Sequence, residues 1–216
     1  MLKAEIQLKK RQFQTALNIL SDLEKEEPRA QKVLYFKGLC HIGLGDPNQA
    51  IASLSRAVEL SPNYTKAHML LSDIYLVQQS YDLSVTHATE VLNRNPDVYH
   101  ALMIRGTAYT ALKNTNRAER DYQRMIDIQP DDPTGYYRLA LLRTTQKQYE
   151  QAELMLEAAY SLNSKLMDVF SLRVRTALAQ RDYDNAHFLC RQQLDSIKDS
   201  SRLTTVVQNI QATVFM

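Results

Sequence analysis

Five histidines and two cysteines are the first residues of this chain to consider as ligands of a transition metal or as catalytic groups. Zinc sites and metalloproteases need such residues at short, fixed spacings, as in HExxH or in paired CxxC motifs. No such spacing occurs among them, and they are His41, His68, His87, His100, His187, Cys40 and Cys190. We therefore expect no metal site. We interpret His87 and His187 as structural histidines and both cysteines as small buried hydrophobic residues.

One short segment, Gly43-Leu44-Gly45, begins like a phosphate-binding loop. Asp46 and Pro47 follow it and no predicted strand precedes it, so we interpret the segment as a turn between two helices. The sequence also contains no GxSxG motif and no Walker motif. Since no convergent set of catalytic groups can be found, we expect a non-catalytic chain that needs no cofactor.

Charge and hydropathy exclude further classes of partner. The chain has 216 residues, and its 26 basic and 24 acidic residues give a net charge of only +2. Binding to nucleic acid needs basic residues concentrated on one face, so we expect no nucleic-acid partner. No apolar run approaches the length of a membrane span, so we expect no direct membrane insertion. Residues 1–5 lack the features of a signal peptide, which favours a cytoplasmic location over a periplasmic one reached with a signal since removed.

The elements that must position any functional residue follow a repeat of 34 residues. One column at this spacing contains four of the six prolines, Pro28, Pro62, Pro96 and Pro130. Proline lacks an N–H and pushes the preceding residue out of the α region, so this column marks the end of a helix in each repeat. The next two members of the column are Ser164 and Lys198.

A second column holds small residues, which are Ala16, Ala50, Ser84, Ala118, Ala152 and Ala186. A small side chain lets the second helix of a repeat approach the first closely. Further apolar columns lie four and seven positions later, so that all three share one face of a helix. The pattern therefore predicts tandem helix pairs that bury a continuous apolar stripe.

This spacing resembles the tetratricopeptide repeat family, whose pattern runs W-x₂-L-G-x₂-Y, then A-x₃-F, then P. The clearest copy is 99–132, with Leu102, Gly106, Tyr109 and Ala118 in register. The resemblance implies an all-α fold, a right-handed superhelical solenoid of antiparallel helix pairs that forms one domain over 1–216. The copies are 1–30 (partial), 31–64, 65–98, 99–132, 133–166 and 167–200. No copy has the tryptophan, and the sixth has Val174 and Lys198 in place of the small residue and the proline.

Residues 201–216 follow the sixth copy and contain apolar residues that share one helical face, namely Leu203, Val206, Val207, Ile210 and Val214. A solenoid needs a terminal helix that covers its last core and exposes a polar back, and this segment fits that role. It equally fits the start of a seventh repeat. The abrupt end at Phe215-Met216 and the partial first repeat favour a piece of a longer array.

In the tetratricopeptide repeat family, first helices line a concave groove, and the residues that face it include positions 2, 5 and 9 of each repeat. Carried over to this chain, the resemblance implies ten groove residues: Tyr35, Leu39, Lys66, Met69, Asp73, His100, Met103, Thr107, Tyr137 and Leu141. A ladder of Tyr, Met and Leu side chains suits an apolar or amphipathic segment of a protein or peptide. We expect exposure for Met69, Met103 and Tyr137. Leu39 and Leu141 fit equally well as packing residues between adjacent first helices.

One known mode of recognition in the family can be checked by position. Co-chaperones that hold the C-terminal carboxylate of a chaperone use Lys, Asn and Arg on three successive first helices. The corresponding places here hold Tyr35 and Leu39, then Leu70, then His100 and Ile104. Because the later triples lack the required residues as well, we expect no binding of chaperone tails by this clamp.

The sequence thus favours a protein–protein interaction scaffold that binds an extended or helical segment of a partner in its groove. Two alternatives stay open. The chain could be an assembly module that associates with itself, forming a homo-oligomer. It could also be the repeat region of a larger enzyme or of a secretion or assembly protein.

Overall fold

The computed structural model describes residues 1–197 and 201–214, with no side chains at 201–203 and 213–214. This part of the chain forms thirteen helices and no strand, which confirms the all-α fold. The helices are α1 (Leu2–Lys9), α2 (Phe13–Glu26), α3 (Gln31–Gly43), α4 (Pro47–Leu60), α5 (Thr65–Val77), α6 (Tyr81–Arg94), α7 (Tyr99–Ala111), α8 (Thr115–Ile128), α9 (Pro133–Thr145), α10 (Tyr149–Leu162), α11 (Met167–Ala179), α12 (Tyr183–Ser196) and α13 (Ser201–Val214).

The helices form two compact units. The first unit, Met1–Asn114, contains α1 to α7, and the second, Thr115–Met216, contains α8 to α13. Consecutive helices within each unit pack against each other and are joined by short turns, so each unit is a stack of antiparallel pairs. First helices of the pairs start at residues 31, 65, 99, 133 and 167, which reproduces the predicted step of 34 residues.

Helix ends follow the proline column. Four second helices end two residues before a proline: α2 before Pro28, α4 before Pro62, α6 before Pro96 and α8 before Pro130. The prediction for this column is confirmed. Proline favours the helix end because it lacks an N–H and restricts the preceding residue, and α10 ends at the same repeat position, two residues before Ser164. The last member of the column, Lys198, lies outside the described residues.

The turn inside each helix pair has one backbone geometry throughout the chain. Six residues at the same repeat position have a positive φ of 57° to 77°, and these are Arg11, Gly45, Gln79, Lys113, Lys147 and Arg181. After α5, for example, the Gln79 N–H donates to the Leu76 carbonyl and the Ser80 N–H donates to the Tyr75 carbonyl. This pair of bonds is a Schellman motif, in which glycine usually occupies the left-handed position. Here glycine does so in only one turn of six.

The turn at Gly45 confirms the interpretation of the glycine-containing segment. Asp46 is the N-cap of α4, and its carboxylate accepts a hydrogen bond of 3.1 Å from the Gln49 N–H. Pro47 is the first residue of α4, a position that tolerates proline because its N–H would be unpaired in any helix. The segment therefore belongs to a helix start.

The column of small residues is fully buried. All six members have no exposed surface, three in each unit. Gly38 on α3 makes a comparable close contact, because a Cβ atom added there would lie 2.6 Å from the Cγ of the fully buried Leu54 on α4. These positions set the distance between the two helices of a pair.

In the second unit, α11 lies at the centre of the packing. Phe170, Val174 and Ala177 of α11 form a core with residues of α12 and with Val207 of α13. Val174, the departure from the small column of the first helices, is accommodated in this core and is nearly fully buried. The predicted apolar face of α13 is described for Val207, which is buried, for Ile210, which is partly buried, and for Val206, which is exposed. The side chains of Leu203 and Val214, and both Phe215 and Met216, lie outside the described residues.

Arg173 of α11 is a buried charge that the repeat pattern did not indicate. Its guanidinium donates to Glu157 at 2.6 Å and to Glu153 at 3.3 Å on α10, and to Gln192 of α12 at 3.2 Å. It also lies over the ring of Tyr160, 4.7 Å from the centroid. These contacts satisfy the buried charge and connect α11 to its neighbours on both sides.

Both cysteines are free and buried, as predicted. Burial raises the pKa of the Cys40 thiol to about 11 and also raises the pKa of Cys190. Across the described residues, no group of three His, Cys, Asp or Glu side chains is placed to hold a metal ion. No helix in that part of the chain combines the length and the apolar character needed to cross a membrane.

Candidate partner-binding surface

Eight of the ten predicted groove residues lie on α3, α5 and α7 of the first unit. Positions 2, 5 and 9 are separated by three and four residues, so their side chains share one face of each helix. Lys66 and His100, both at position 2, are exposed. The residues at positions 5 and 9 are half-buried, and these are Tyr35, Leu39, Met69, Asp73, Met103 and Thr107. We call this set of eight residues the first-helix face.

Part of this face is occupied by contacts within the chain. Tyr35 makes edge-to-face contacts with Phe36 and Tyr64, with ring centroids 5.4 and 5.3 Å apart. The Thr107 hydroxyl donates to the Met103 carbonyl at 2.7 Å, one turn earlier on α7. The aromatic contacts hold the Tyr35 ring in place, and Tyr35, Met103 and Thr107 each keep part of their surface accessible.

Asp73 and His100 join two neighbouring first helices. The Nε2 atom of His100 lies 2.9 and 3.2 Å from the two carboxylate oxygens of Asp73. Burial raises the pKa of Asp73, and the nearby His100 opposes that rise in part. The pair connects position 9 of α5 to position 2 of α7, two of the positions that the family register predicted.

The other two groove residues, Tyr137 and Leu141, lie on α9 in the second unit. Both are half-buried and pack against a core that includes Ala140, Leu156 and Leu172. Their apolar atoms therefore contribute to the packing of α9, and the remaining surface of each side chain is accessible.

An open apolar cleft adjoins the first-helix face in the first unit. It lies between the α3–α4 turn and the C-terminal half of α5, and it encloses about 410 Å³. Its lining consists of Ile42, Gly45, Pro47, Leu70, Asp73, Ile74, Val77 and Gln78. We call it the edge cleft. Val77 is 83% exposed and Ile42 is 40% exposed, and together with the other apolar lining residues they form a contiguous apolar surface.

The sequence identified only part of this cleft. Asp73 was among the predicted groove residues, whereas Leu70, Ile74 and Val77 were not. The groove positions of the family also include 12 and 13, which are Ile42 and Val77 here, so the family register contained a signal for both. The cleft itself depends on the short side chains of Gly45 and Pro47, which the repeat pattern presents only as turn residues.

A second contact that the sequence did not predict joins two histidines in the first unit. The Nδ1 atoms of His68 on α5 and His87 on α6 are 2.9 Å apart, and His68 Nε2 lies 3.1 Å from the Pro62 carbonyl. Since a carbonyl can only accept, His68 donates from Nε2 to Pro62, and the two Nδ1 atoms share one hydrogen bond between the rings. The ring of His87 also stacks on Tyr75, 5.5 Å away. The prediction that His87 has a structural role is confirmed.

Models of known protein families match most of this chain. Three family models, each described as a tetratricopeptide repeat, match residues 1–65, 41–105, and 99–132 with 133–166. Together they cover residues 1–166 continuously.

The chain belongs to the tetratricopeptide repeat family.

Relatives of known sequence agree with this assignment. The DnaJ homolog subfamily C member 7 homolog of Dictyostelium discoideum is 23% identical over 178 residues, covering 75% of this chain and 33% of that protein. Tetratricopeptide repeat protein 21A of Mus musculus is 32% identical over 94 residues, covering 40% of this chain and 7% of that protein. The chain spans a third or less of the length of the curated relatives it matches.

Solved structures share the fold at low sequence identity. PilW, titled a widely conserved type IV pilus biogenesis factor, has a TM-score of 0.75 at 18% identity, covering 95% of this chain and 96% of that one. MamA from Desulfovibrio magneticus has a TM-score of 0.72 at 19% identity, covering 76% and 92%. These similarities show the helix-pair fold. Family membership supports a role in protein–protein interaction, and tetratricopeptide repeat families are generally non-catalytic.

Proposed function

We propose that this chain is an interaction scaffold that binds an extended or helical segment of a partner protein along its first helices. The observation that carries the proposal is the set of half-buried Tyr and Met side chains at one position of α3, α5 and α7, next to the open edge cleft. Half-buried Tyr and Met provide large contact area on a supported surface, and such residues are enriched where proteins bind each other. Tyr137 and Leu141 on α9 offer the same chemistry in the second unit.

The proposal is tested by charge substitution at two groove residues. We expect the Met103→Glu/Tyr137→Glu variant to lose capture of its partner from native lysate, because a desolvated carboxylate in an apolar contact is costly. Helicity measured by circular dichroism should be retained, since both side chains keep part of their surface exposed. The readout is quantitative mass spectrometry of the captured proteins.

A matched control uses an exposed apolar pair that is not in the groove set. Leu154 on α10 is 67% exposed and Phe188 on α12 is 60% exposed, and they occupy the same repeat position on second helices. We expect the Leu154→Glu/Phe188→Glu variant to capture the partner as the wild type does. Unchanged capture by the groove variant would overturn the proposal.

Self-association is the second candidate, and the same two exposed residues favour it. Exposed apolar side chains on the second helices of the second unit provide a surface that another copy could cover. Light scattering over a concentration series separates the candidates, because a scaffold for a foreign segment stays monomeric. Loss of concentration-dependent mass in the Leu154→Glu/Phe188→Glu variant would assign the assembly to these residues.

That this chain lacks the clamp for chaperone tails remains a prediction. Some relatives carry chaperone names, such as Hsp70-Hsp90 organizing protein 3 of Arabidopsis thaliana, which is 24% identical over 109 residues. At the places where the clamp needs basic and amide residues, this chain presents Tyr35, Leu39 and Leu70. We therefore propose that its partner is recognised by apolar side chains and not by a terminal carboxylate.

A further inference from the structure

We propose that the edge cleft is an anchor site, in which a partner segment inserts one bulky apolar side chain beside Ile42 and Val77 and pairs a lysine or arginine with Asp73. The inference rests on the proposed function, because it assumes that a partner lies along the first helices. It adds the chemistry of that partner: an apolar residue with a cationic residue close to it in the same segment.

The lining of the cleft selects an apolar group. Aliphatic surface comes from the end of α3, the start of α4 and the C-terminal half of α5, through Ile42, Pro47, Leu70, Ile74 and Val77. Its volume of about 410 Å³ is enough for an aromatic or large aliphatic side chain together with the start of a neighbouring one. Insertion of such a group would cover Val77, the most exposed large apolar residue described in the chain.

The cleft is open because this turn has short side chains where other turns have long ones. Gly45 occupies the position of Gln79, Lys113 and Lys147, and a Cβ atom built on it meets nothing within 4 Å. Pro47 occupies the position of Tyr81, Tyr149 and Tyr183, the first residue of a second helix. Other copies of the repeat therefore accommodate larger residues at these two positions, and the turn between α3 and α4 has smaller ones.

The corresponding cleft in the second unit has a different lining. It encloses about 320 Å³ and is bordered by Lys147, Gln148, Tyr149, Glu150, Gln151 and Gln180. There Lys147 stands in the place of Gly45, Tyr149 in that of Pro47, and Gln180 in that of Gln78. Apolar character is therefore a local property of the edge cleft and not a consequence of the repeat geometry.

Asp73 gives the cleft its charge preference. It is the one charged side chain among the eight lining residues, and it is half-buried, with its carboxylate oxygens 2.9 and 3.2 Å from the Nε2 atom of His100. A half-buried carboxylate beside apolar surface gains from a cation more than a fully solvated one does. Charge complementarity thus favours a lysine or arginine and disfavours an acidic residue next to the apolar anchor.

The test uses two small probes that share a phenylbutyl group and differ in charge, 4-phenylbutylamine and 4-phenylbutyrate. We expect the amine to shift the methyl resonances of Ile42, Ile74 and Val77 in labelled full-length protein, and to bind about tenfold more tightly than the carboxylate. In the Asp73→Asn variant, the two probes should bind equally. Equal binding of both probes to the wild type, or shifts confined to other methyl groups, would overturn the inference.

A variant that fills the edge cleft tests whether the probe and the partner bind at the same site. The Gly45→Lys/Pro47→Tyr variant takes residues that the repeat already carries at these positions, so helicity should be retained. The unfolding temperature should fall by only about 2–4 °C, the cost of a side chain at the left-handed Gly45. We expect it to lose the response to 4-phenylbutylamine and to capture about tenfold less partner. The Met103→Glu/Tyr137→Glu variant should retain the response to the probe.

The outcomes separate the two proposals. If the filled variant captured partner as the wild type does, the anchor site would be wrong and the proposed function would stand. If the Met103→Glu/Tyr137→Glu variant captured partner as the wild type does, the proposed function would be wrong, whatever the probes do in the cleft.

Discussion

At the scale of single residues, the surroundings of the His87 side chain change its pKa. His87 lies on α6 and is half-buried. Burial, and then the proximity of His68, lower the pKa of His87 to about 4, while Glu90 on the same helix opposes this. The stacked Tyr75 ring adds to the apolar surroundings. Neutral His87 is therefore part of the folded state, where its Nδ1 atom shares a hydrogen bond with His68.

This environment predicts a pH dependence of stability. The pKa of His87 in the folded chain lies below its ordinary value of 6.5, so protonation favours the unfolded chain. The stabilising contribution is complete above pH 6.5 and is lost as the pH falls toward 4, by on the order of 3 kcal/mol. Thermal unfolding followed by circular dichroism should show the midpoint falling over this range. In the His87→Gln variant, whose amide can still donate to His68, the fall should be smaller, and an identical fall in both proteins would contradict the account.

Left-handed turn residues give a second prediction at this scale. Gln79 has a φ of 60°, a conformation that costs a residue with a Cβ atom roughly 1–2 kcal/mol. Gln79→Gly removes this cost but adds entropy to the unfolded chain, so we expect a net stabilisation of up to about 1 kcal/mol. Gly45→Ala should do the reverse and lower the free energy of unfolding by about 1 kcal/mol, because Gly45 has a left-handed φ that disfavours a Cβ atom. An added Cβ would meet no other atom, so no clash contributes to this loss. Urea unfolding of the two variants checks both signs, and a destabilised Gln79→Gly protein would refute the explanation.

At the scale of the helix pair, the spacing between first and second helices is set by residues with little or no side chain. In the α3–α4 pair, Gly38 faces Leu54, and an added Cβ would lie 2.6 and 2.7 Å from two Leu54 carbon atoms. Leu54 is fully buried and cannot move aside without displacing its neighbours. The distance between α3 and α4 therefore depends on this one contact.

A double-mutant cycle tests that contact. Gly38→Ala should lower the free energy of unfolding by about 1–3 kcal/mol through overpacking, although alanine favours the helix by about 1 kcal/mol. In a Leu54→Ala background the clash is absent, so the same substitution should become neutral or stabilising. The quantity to measure is the coupling energy from urea unfolding of the four proteins. A coupling energy near zero would show that the contact between Gly38 and Leu54 does not limit the distance between α3 and α4.

At the scale of the whole molecule, the sequence predicted the elements better than the binding surface. The prolines and the column of small residues predicted where second helices end and where helices come into contact, because both effects depend on one residue type at one repeat position. The edge cleft was not predicted, because it results from residues that are missing from the pattern at Gly45 and Pro47. The contacts of Arg173 and of the His68–His87 pair were also missed, since each depends on which side chains meet between neighbouring helices.

The groove residues lie between these two cases. Family register placed Asp73 and His100 on adjacent first helices, and the structure brings the two side chains to 2.9 Å. Register alone could not say how much of Met69 or Met103 is accessible, because burial depends on the neighbouring helix. Which residues form the first-helix face was therefore predicted from the family register, and how far each of them is buried was found from the structure.

Site-specific photo-crosslinking tests the central claim most directly, which is that this chain binds a partner protein through its first helices. A photoreactive phenylalanine analogue is placed at Met69 or Tyr137 in the groove set and, as a control, at the exposed Phe188 of α12. We expect irradiation in cells to join a different protein to positions 69 and 137, with no such product from position 188. Crosslinks from position 188 alone, or products at 69 and 137 that contain only a second copy of this chain, would contradict the claim.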